Sequence, residues 1–275
     1  MKHPFSMMGR MLVWISAVVV MGILALLVGY ILIKGIPYIN ADLFAWEYNS
    51  ENVSMMPAII NTLTMIGVTM LIAIPLGVGA AIYLVEYAKR GSKLVKVVRI
   101  TTETLSGIPS IVYGLFGHLI FVIAMHFNMS MISGILTLAI MVLPTIMRTT
   151  EEALKSVPDS YREGSFGLGA GRLRTVFRII LPSAIPGILS GIILAIGRIV
   201  GETAALIYTA GTVAGISQTL MNSGRTLAVH MYALLSEGLY VDQAYATAVI
   251  LLIMVVLINA LSGLAAKKLQ GENHG

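Results

Sequence analysis

Long stretches without charged residues constrain this chain more than any other feature. Residues 11–33, 52–85 and 104–147 contain no Asp, Glu, Lys or Arg. A helix that crosses a bilayer needs about 20 consecutive apolar residues, whereas the apolar region of a signal peptide has about 7–15. Only 11% of the residues are charged, against about one quarter in soluble domains. We therefore expect a membrane protein, not a soluble enzyme or a disordered chain.

The apolar stretches predict an all-α integral membrane protein with six transmembrane helices. The stretch 11–33 is the first span, and residues 59–85 form the second. The polar segment 126–130 divides the third stretch into two spans, and two further spans begin near Ala184 and near Gln243. Within the third span, the segment Ser106–Ser110 contains a glycine and a proline and predicts an irregular break.

The positions of Lys and Arg predict which side of the membrane each loop occupies. All but three of the 18 Lys and Arg residues fall in the loops 86–103 and 148–182 or in the two terminal segments. The three exceptions are Lys34, Arg198 and Arg225. Because basic loops remain on the cytoplasmic side, we expect a cytoplasmic N-terminus over residues 1–10 and a cytoplasmic tail over residues 266–275.

The loop after the fourth span combines basic residues with three glycines. Ser160 and Glu163 fit a capping box that begins a helix, and the glycines between 167 and 171 favour a sharp turn after it. A second basic stretch, residues 172–180, leads into the fifth span. We therefore predict a helix, a turn and another helix, which could dock in a groove of a partner protein. Contact with lipid headgroups is the alternative interpretation.

The same loop resembles the EAA loop of ABC-importer permeases, whose pattern is Glu-Ala-Ala, three residues, Gly, nine residues and Ile-x-Leu-Pro. The positions that align with this motif are Glu163, Gly164, Ser165, Gly169, Ile179, Leu181 and Pro182. The resemblance implies that the loop 148–182 contains a cytoplasmic coupling helix that contacts an ATPase. The chain has no Gly-x-x-x-x-Gly-Lys-Ser/Thr motif for ATP phosphates, so ATP would be bound and hydrolysed by partner subunits.

Two ionisable residues, Arg198 and Glu202, fall inside the fifth predicted span. Residues four apart share one face of a helix, and a charge deep in a membrane is a functional hypothesis by default. Since guanidinium binds phosphate or carboxylate in a bidentate fork, we interpret Arg198 as part of an anion path. Glu202 would neutralise Arg198 between transport cycles. An intrahelical ion pair without a role in transport is the alternative.

Several segments are similar to the corresponding segments of the PstA family, whose members are membrane subunits of phosphate ABC importers. These segments are residues 75–87, 108–117, 148–152 and 191–206. Ala205 stands where the family pattern has Pro, which predicts a straighter end of the fifth span. The resemblance covers residues 55–265 and implies that they form an ABC permease domain of the type I importer fold, with the first helix outside it.

The resemblance also implies partners and a location. The expected partners are a PstC-like second permease, a PstB-like ATPase dimer and a PstS-like phosphate-binding protein. That binding protein would contact the outer segments 40–58 and 209–242, which we expect to be plain surface loops. The expected location is a prokaryotic inner membrane, in contact with lipid and not with nucleic acid. We expect no cofactor, metal site or catalytic residue in this chain, since it has no cysteine and its five histidines lack metal-ligand spacing.

Other functions remain compatible with a six-span chain that carries Arg198. One is the permease subunit of an ABC importer for another oxyanion, such as molybdate or sulfate. Another is an ion-driven secondary transporter that works without an ATPase, although the sequence shows no inverted repeat. An intramembrane hydrolase would need a nucleophile and a base within the spans, where only Arg198 and Glu202 are ionised.

Overall fold

Eleven α-helices form the computed structural model of the chain, which describes residues 4–89 and 91–271. The helices are α1 (Pro4–Gly35), α2 (Met56–Ile82), α3 (Lys93–Ser106), α4 (Ser110–Gly117), α5 (Met131–Ser156), α6 (Asp159–Gly167), α7 (Arg172–Thr175), α8 (Leu181–Val200), α9 (Ala204–Thr209), α10 (Leu227–Glu237) and α11 (Val241–Gly271). Short π-helices extend α2, α4 and α7 over Tyr83–Tyr87, His118–Ala124 and Val176–Ile180. The described residues contain no strand, which confirms the all-helical class.

Five helical segments are long and apolar enough to cross a membrane. They are Gly9–Tyr38, Met56–Tyr87, Met131–Ser156, Arg172–Val200 and Val241–Leu264. The sixth candidate is the pair α3 and α4 with its π-helical extension, which is bent by 106°. The bend lies within the predicted break, because Pro109 has no N–H for a helical hydrogen bond and disfavours helical backbone at Ile108. The described residues therefore contain six candidate spans when the bent pair counts as one.

Helix α3 was not predicted, because the five basic residues of the segment 86–103 indicated a loop. Val95 is buried and Val98 packs beside it in the same apolar cluster. The guanidinium of Arg99 on α3 binds the carboxylate of Glu151 on α5 at 2.6 Å. The apolar residues at this spacing therefore seat α3 on α5 as a helix. Of the basic residues of α3, Lys93 and Lys96 are exposed, whereas Arg99 takes part in the contact.

The predicted turn between the third and fourth spans is present. His126 and Asn128 adopt left-handed backbone conformations, with φ of 56° and 55°. Ser130 then begins α5, because its side chain accepts a hydrogen bond from the backbone N–H of Ser133. Asn and Ser are residues that favour such turns and helix starts.

Helix α5 forms the centre of the bundle. It packs against α2 on one side and α8 on the other, and its residues Ile135, Leu138, Met141 and Ile146 are fully buried. Helix α8 approaches closely at Gly191, where an added Cβ would lie 2.6 Å from the Cβ of Thr149. Glycine at this position therefore permits the contact between α5 and α8, which fixes the depth of the charged residue later in α8.

The segments that connect the long helices lie at two ends of the bundle. We call these ends the basic face and the opposite face. The basic face carries α3, α6 and α7, and the opposite face carries the segments 36–55 and 210–240. The prediction that the outer segments are plain surface loops is wrong. Residues 227–237 form α10, and Leu43 and Met55 of the other segment are buried with Leu227 in one cluster. Apolar side chains within these segments drive them onto the bundle.

The predicted arrangement of helix, turn and helix on the basic face is confirmed, but the predicted capping box is wrong. Helix α6 begins at Asp159, and its N-cap residue Pro158 makes no side-chain capping hydrogen bond. Ser160 therefore lies inside the helix, where it cannot cap it. Gly169 ends the turn with φ of +82°, a left-handed conformation that favours glycine.

Candidate translocation path and coupling element

Arg198 lies in a groove between three spans. The groove has a volume of about 600 Å³, and its polar lining consists of Arg198 and Ser190 from α8, Thr145 from α5 and Asn259 from α11. Among the described residues, the guanidinium of Arg198 has no carboxylate at salt-bridge distance. A charged fork beside two hydroxyl groups and one amide can bind an oxyanion by charge-assisted hydrogen bonds.

Sequence reasoning missed Thr145, Ser190 and Asn259. Each is an uncharged polar residue within a mainly apolar span, and such residues do not stand out, because Thr and Ser commonly bond to the backbone of their own helix. Ser190 does so here, since its hydroxyl donates to the carbonyl of Pro186 at 3.0 Å. Asn259 gives the clearer signal, because an amide deep in the last span has no such local partner in the sequence pattern.

Glu202 does not share a helical face with Arg198, so that prediction is wrong. Helix α8 ends at Val200, and α9 begins only at Ala204. The Glu202 carboxylate accepts a hydrogen bond from the backbone N–H of Ala205 at 3.0 Å, and the residue is 7% exposed. Glu202 thus caps the first turn of α9 and forms no ion pair with Arg198 in this structure.

The end of the fifth span is also not straight, although Ala205 replaces the proline of the family pattern. Gly201 follows the last residue of α8, and residues 201–203 interrupt the helix. A free glycine backbone and a capping carboxylate give the same interruption that proline would impose. The break brings α9 back against α4, which it packs beside.

The residues that align with the EAA loop lie on α6, its following turn and the start of the fifth span. Glu163, Gly164 and Gly169 are exposed, whereas Ser165 is buried. The Ser165 hydroxyl bonds to that of Thr175 on α7 at 2.8 Å. The other aligned residues, Ile179, Leu181 and Pro182, are partly buried where the fifth span begins. The small residue at 165 therefore joins α6 to the helix that continues into the membrane.

Exposed apolar side chains surround this element. Leu168, at the turn after α6, is 91% exposed, and Phe166, Leu173 and Phe177 are about half exposed or more. An added Cβ at Gly164 would contact nothing within 4 Å, so the packing of this chain does not require glycine there. An apolar, sterically open surface of this kind is typical of an interface with a protein or a membrane.

Arg162 connects α6 to two spans and was missed from the sequence. Its Nη2 lies 2.7 Å from Glu86 Oε1 at the end of α2, and also donates to the carbonyl of Leu154 at 2.9 Å. Its Nη1 donates to the carbonyl of Val157 and to Asp159. Because Glu86 and Arg162 are 76 positions apart, no local pattern could reveal their contact.

The nearby cluster of Arg148, Glu151 and Glu152 does not contact α6. Arg148 pairs with Glu152 on the same helix at 3.1 Å. Glu151 instead binds Arg99 of α3 and Lys155, each at 2.6 Å. Through the pair of Arg99 and Glu151, this cluster therefore fixes α3 to α5.

Comparison with known proteins places the fold and the family. A family model described as binding-protein-dependent transport system inner membrane component matches residues 73–270. The chain is 35% identical over 263 residues to the probable ABC transporter permease protein YqgI of Bacillus subtilis, a match that covers 89% of each protein. It is 41% identical over 154 residues to the phosphate transport system permease protein PstA 1 of Mycobacterium tuberculosis, which covers 56% of this chain and only 50% of that relative.

Solved structures agree with this assignment at the level of the fold. A bacterial ABC transporter that imports the polysaccharide alginate matches with a TM-score of 0.67 at 18% identity, over 97% of this chain and 99% of that one. The MetNI methionine ABC transporter, in an inward-facing conformation, matches with a TM-score of 0.60 over 78% of this chain and 93% of that one, at 20% identity. The fold is that of type I ABC importer permeases, in a multi-pass inner membrane protein. The chain belongs to the family of binding-protein-dependent transport system inner membrane components.

Proposed function

We propose that this chain is one of two membrane-spanning subunits of an ATP-driven importer of inorganic phosphate, and that it forms half of the translocation path. The observation that carries the substrate class is the guanidinium of Arg198, which has hydroxyl and amide neighbours and no ion pair with any residue that the structure describes. An unpaired cation within the membrane is costly unless an anion visits it. The similarity to phosphate permeases named PstA supports phosphate as that anion.

In this proposal the energy for transport comes from partner subunits. A PstB-like ATPase dimer docks on the exposed side of α6, around Glu163, Gly164 and Leu168. Closure of that dimer on ATP moves α6, and Arg162 transmits the movement to α2 and α5 through its hydrogen bonds. A PstC-like permease completes the path, and a PstS-like binding protein delivers phosphate at the opposite face.

Within the path, Arg198 contacts the passing phosphate and Glu202 holds the start of α9, directly after α8. A guanidinium stays charged at any physiological pH, so release of the anion needs a change of geometry around Arg198. Movement of α8 against α5 and α11 would separate Arg198 from Thr145 and Asn259, and thereby weaken the site. Glu202 lies at the joint between α8 and α9, which such a movement of α8 would displace directly.

The proposal is tested by uptake of radiolabelled phosphate into proteoliposomes that contain the chain with its permease, ATPase and binding-protein partners. We expect ATP-dependent uptake that excess arsenate suppresses and that excess sulfate or molybdate does not. Suppression by sulfate or molybdate would assign the importer to another oxyanion. Uptake without ATP would contradict the coupling to an ATPase.

A pair of variants tests the role of Arg198. Arg198→Ala should abolish uptake while the complex still assembles, and Arg198→Lys should retain a small fraction, because lysine keeps the charge but not the bidentate fork. Ser183→Ala is a matched control, since Ser183 lies on the same helix outside the groove and its hydroxyl donates to the Ile179 carbonyl. Normal uptake by Arg198→Ala would remove this residue from the path.

A further inference from the structure

A second charged cavity lies on the basic face, separate from the groove around Arg198. It has a volume of about 650 Å³ and lies between the end of α2, the start of α3 and the inner side of α6. Five cationic side chains line it, namely Lys89, Arg99, Lys155, Arg162 and Arg172, against the two carboxylates of Glu86 and Asp159. The proposed transport path uses none of Lys89, Arg99, Lys155 and Arg172.

Among the described residues, the ion pairs leave two of these cations without a carboxylate partner. Both carboxylates of the lining bind Arg162. Glu151 binds Arg99 and Lys155 together. Within the part of the chain that the structure describes, Lys89 and Arg172 have no carboxylate at salt-bridge distance. The lining of the cavity therefore keeps an excess of positive charge.

The aromatic ring of Tyr87 orients one of the two unpaired cations. The guanidinium of Arg172 lies over this ring, 5.8 Å from its centroid. Stacking of this kind restricts the side chain while it leaves the edge of the guanidinium free to donate hydrogen bonds. Lys89 lies two residues beyond Tyr87, so both cations border the same side of the cavity.

The depth of the cavity follows from α3. This helix turns by 106° from the following span, and its exposed apolar residues Leu94, Val97 and Ile100 lie away from the side that packs on α5. A helix with such a face lies along the interface of a bilayer, with its apolar side in the acyl region. Gly91 and Val95, at the start of α3, line the cavity, so the cavity adjoins this interfacial helix.

We propose that this cavity is a binding site for a phosphate group, held by Lys89 and Arg172. Arginine and lysine together recognise phosphate through a fork and a point charge. A phosphate group at this depth has two sources, the headgroup of an anionic phospholipid and free inorganic phosphate. Basic pockets between membrane helices are known to hold lipid headgroups, and free phosphate would reach the site from the aqueous side.

Occupation of the cavity would act on α6, the proposed coupling helix. Arg162 and Phe166 of α6 form one wall, the end of α2 forms the other, and Arg172 belongs to the helix that continues into α8. A bound phosphate group links α7 to the end of α2 and restrains α6, while the exposed side of α6 at Gly164 stays free for the ATPase. The site therefore adjusts how easily the coupling helix moves.

The test uses the full chain, with Arg198→Ala to remove binding in the translocation path, in nanodiscs of phosphatidylcholine or of phosphatidylcholine with phosphatidylglycerol. One arm measures binding of radiolabelled inorganic phosphate in the neutral nanodiscs. The other measures retention of phosphatidylglycerol on the purified chain by native mass spectrometry. The double variant Lys89→Gln and Arg172→Gln should weaken either the binding of inorganic phosphate or the retention of phosphatidylglycerol by at least about tenfold. A tenfold loss corresponds to about 1.4 kcal/mol of binding free energy.

A control variant with the same loss of charge, Lys93→Gln and Arg174→Gln, changes two exposed residues that do not line the cavity and should leave binding unchanged. The conservative variant Lys89→Arg, which keeps the charge and leaves the stacked Arg172 in place, should keep most of it. Phosphate binding sensitive to the first pair alone identifies free phosphate, and lipid retention with the same pattern identifies a headgroup. Absence of both, or equal loss in the control, overturns the proposal.

Discussion

Arg162 is the single residue whose contacts best explain how a push on α6 reaches the membrane. It makes hydrogen bonds to Glu86, Leu154 and Val157, and its side chain is 16% exposed against 8% for Glu86. Replacement by Met removes these bonds and leaves the Glu86 carboxylate nearly buried without a cation. Since this pair is more buried than a surface ion pair, we expect a loss of about 2 kcal/mol of stability.

The functional consequence distinguishes coupling from stability. Arg162→Met should lower the ratio of phosphate imported to ATP hydrolysed, and the double variant Arg162→Met and Glu86→Gln should recover stability but not this ratio. Thermal unfolding in detergent and paired uptake and ATPase assays measure the two effects. An unchanged ratio in Arg162→Met would show that α6 is connected to the spans by other contacts.

His230 belongs to a buried cluster on the opposite face and gives a pH-dependent prediction. It is fully buried on α10, with Tyr48 against its ring at 6.2 Å. Burial, and next the charge of Arg225, lower the pKa of His230 to about 3. The unfolded chain has the ordinary pKa of about 6.5, so protonation favours unfolding below that pH.

The stability contributed by neutral His230 is therefore complete above pH 6.5 and is lost as the pH falls from 6.5 towards 3. At pH 5 we expect a loss of about 2 kcal/mol relative to pH 7.5. His230→Leu should remove this part of the pH dependence of the melting temperature. The control His126→Asn changes an exposed turn histidine with φ of 56° to another residue that tolerates that conformation, and it should keep the slope. Equal slopes for all three proteins would contradict the prediction.

At the scale of elements, the joint between α8 and α9 depends on the capping hydrogen bond of Glu202. Loss of a helix cap costs about 1 kcal/mol, so Glu202→Ala should lower the melting temperature, whereas Glu202→Gln keeps an acceptor for the Ala205 N–H and should not. Phosphate uptake then separates two roles. If Glu202 acts through its charge on the anion path, both variants lose uptake; if it acts only as a cap, Glu202→Gln retains it.

Helix α6 and the turn after it each contain one glycine of a matched pair. Gly164 lies in helical backbone with open space around it, and Gly169 has φ of +82°. Gly164→Ala should stabilise α6 by up to about 1 kcal/mol, whereas Gly169→Ala should cost about 1–2 kcal/mol because an L residue is strained there. Melting temperatures test the signs, and we expect only Gly169→Ala to reduce ATP-coupled uptake. A similar effect of both would mean that neither backbone conformation matters to docking.

The sequence predicted those elements whose signals are local. Apolar stretches gave the spans, Pro109 gave the bend, and the EAA-like spacing gave the position of α6. The features that the sequence did not predict are contacts between residues far apart in the chain, and one helix that was wrongly assumed to be unbroken. Arg162 with Glu86, and Arg99 with Glu151, join helices that only folding brings together. The placement of Glu202 on one face with Arg198 assumed an unbroken helix, although Gly201 between them was a signal that the helix could end.

For the whole molecule, the orientation in the membrane remains a prediction from the distribution of Lys and Arg. The basic face carries α3, α6 and α7 with their cations, whereas the opposite face carries Asp42, Glu47, Glu51, Glu237 and Asp242. Retention of positive loops in the cytoplasm predicts that α6 faces the ATPase compartment and that α10 faces outward. The proposed phosphate-group site and the docking surface then share the cytoplasmic side, and the cluster around His230 lies outside.

The chain contains no cysteine, so single cysteines can report this orientation directly. Leu168 on the basic face is 91% exposed and Leu239 on the opposite face is 78% exposed, so Leu168→Cys and Leu239→Cys should both react readily with a maleimide. In spheroplasts, a membrane-impermeant maleimide should label Leu239→Cys at once and Leu168→Cys only after the membrane is opened. The reverse order of labelling would show that the chain has the opposite orientation. The proposed coupling helix α6 would then lie on the side of the membrane that a cytoplasmic ATPase cannot reach. Labelling of both before opening would place α6 and the loop after α10 on the same side, which six spans do not allow.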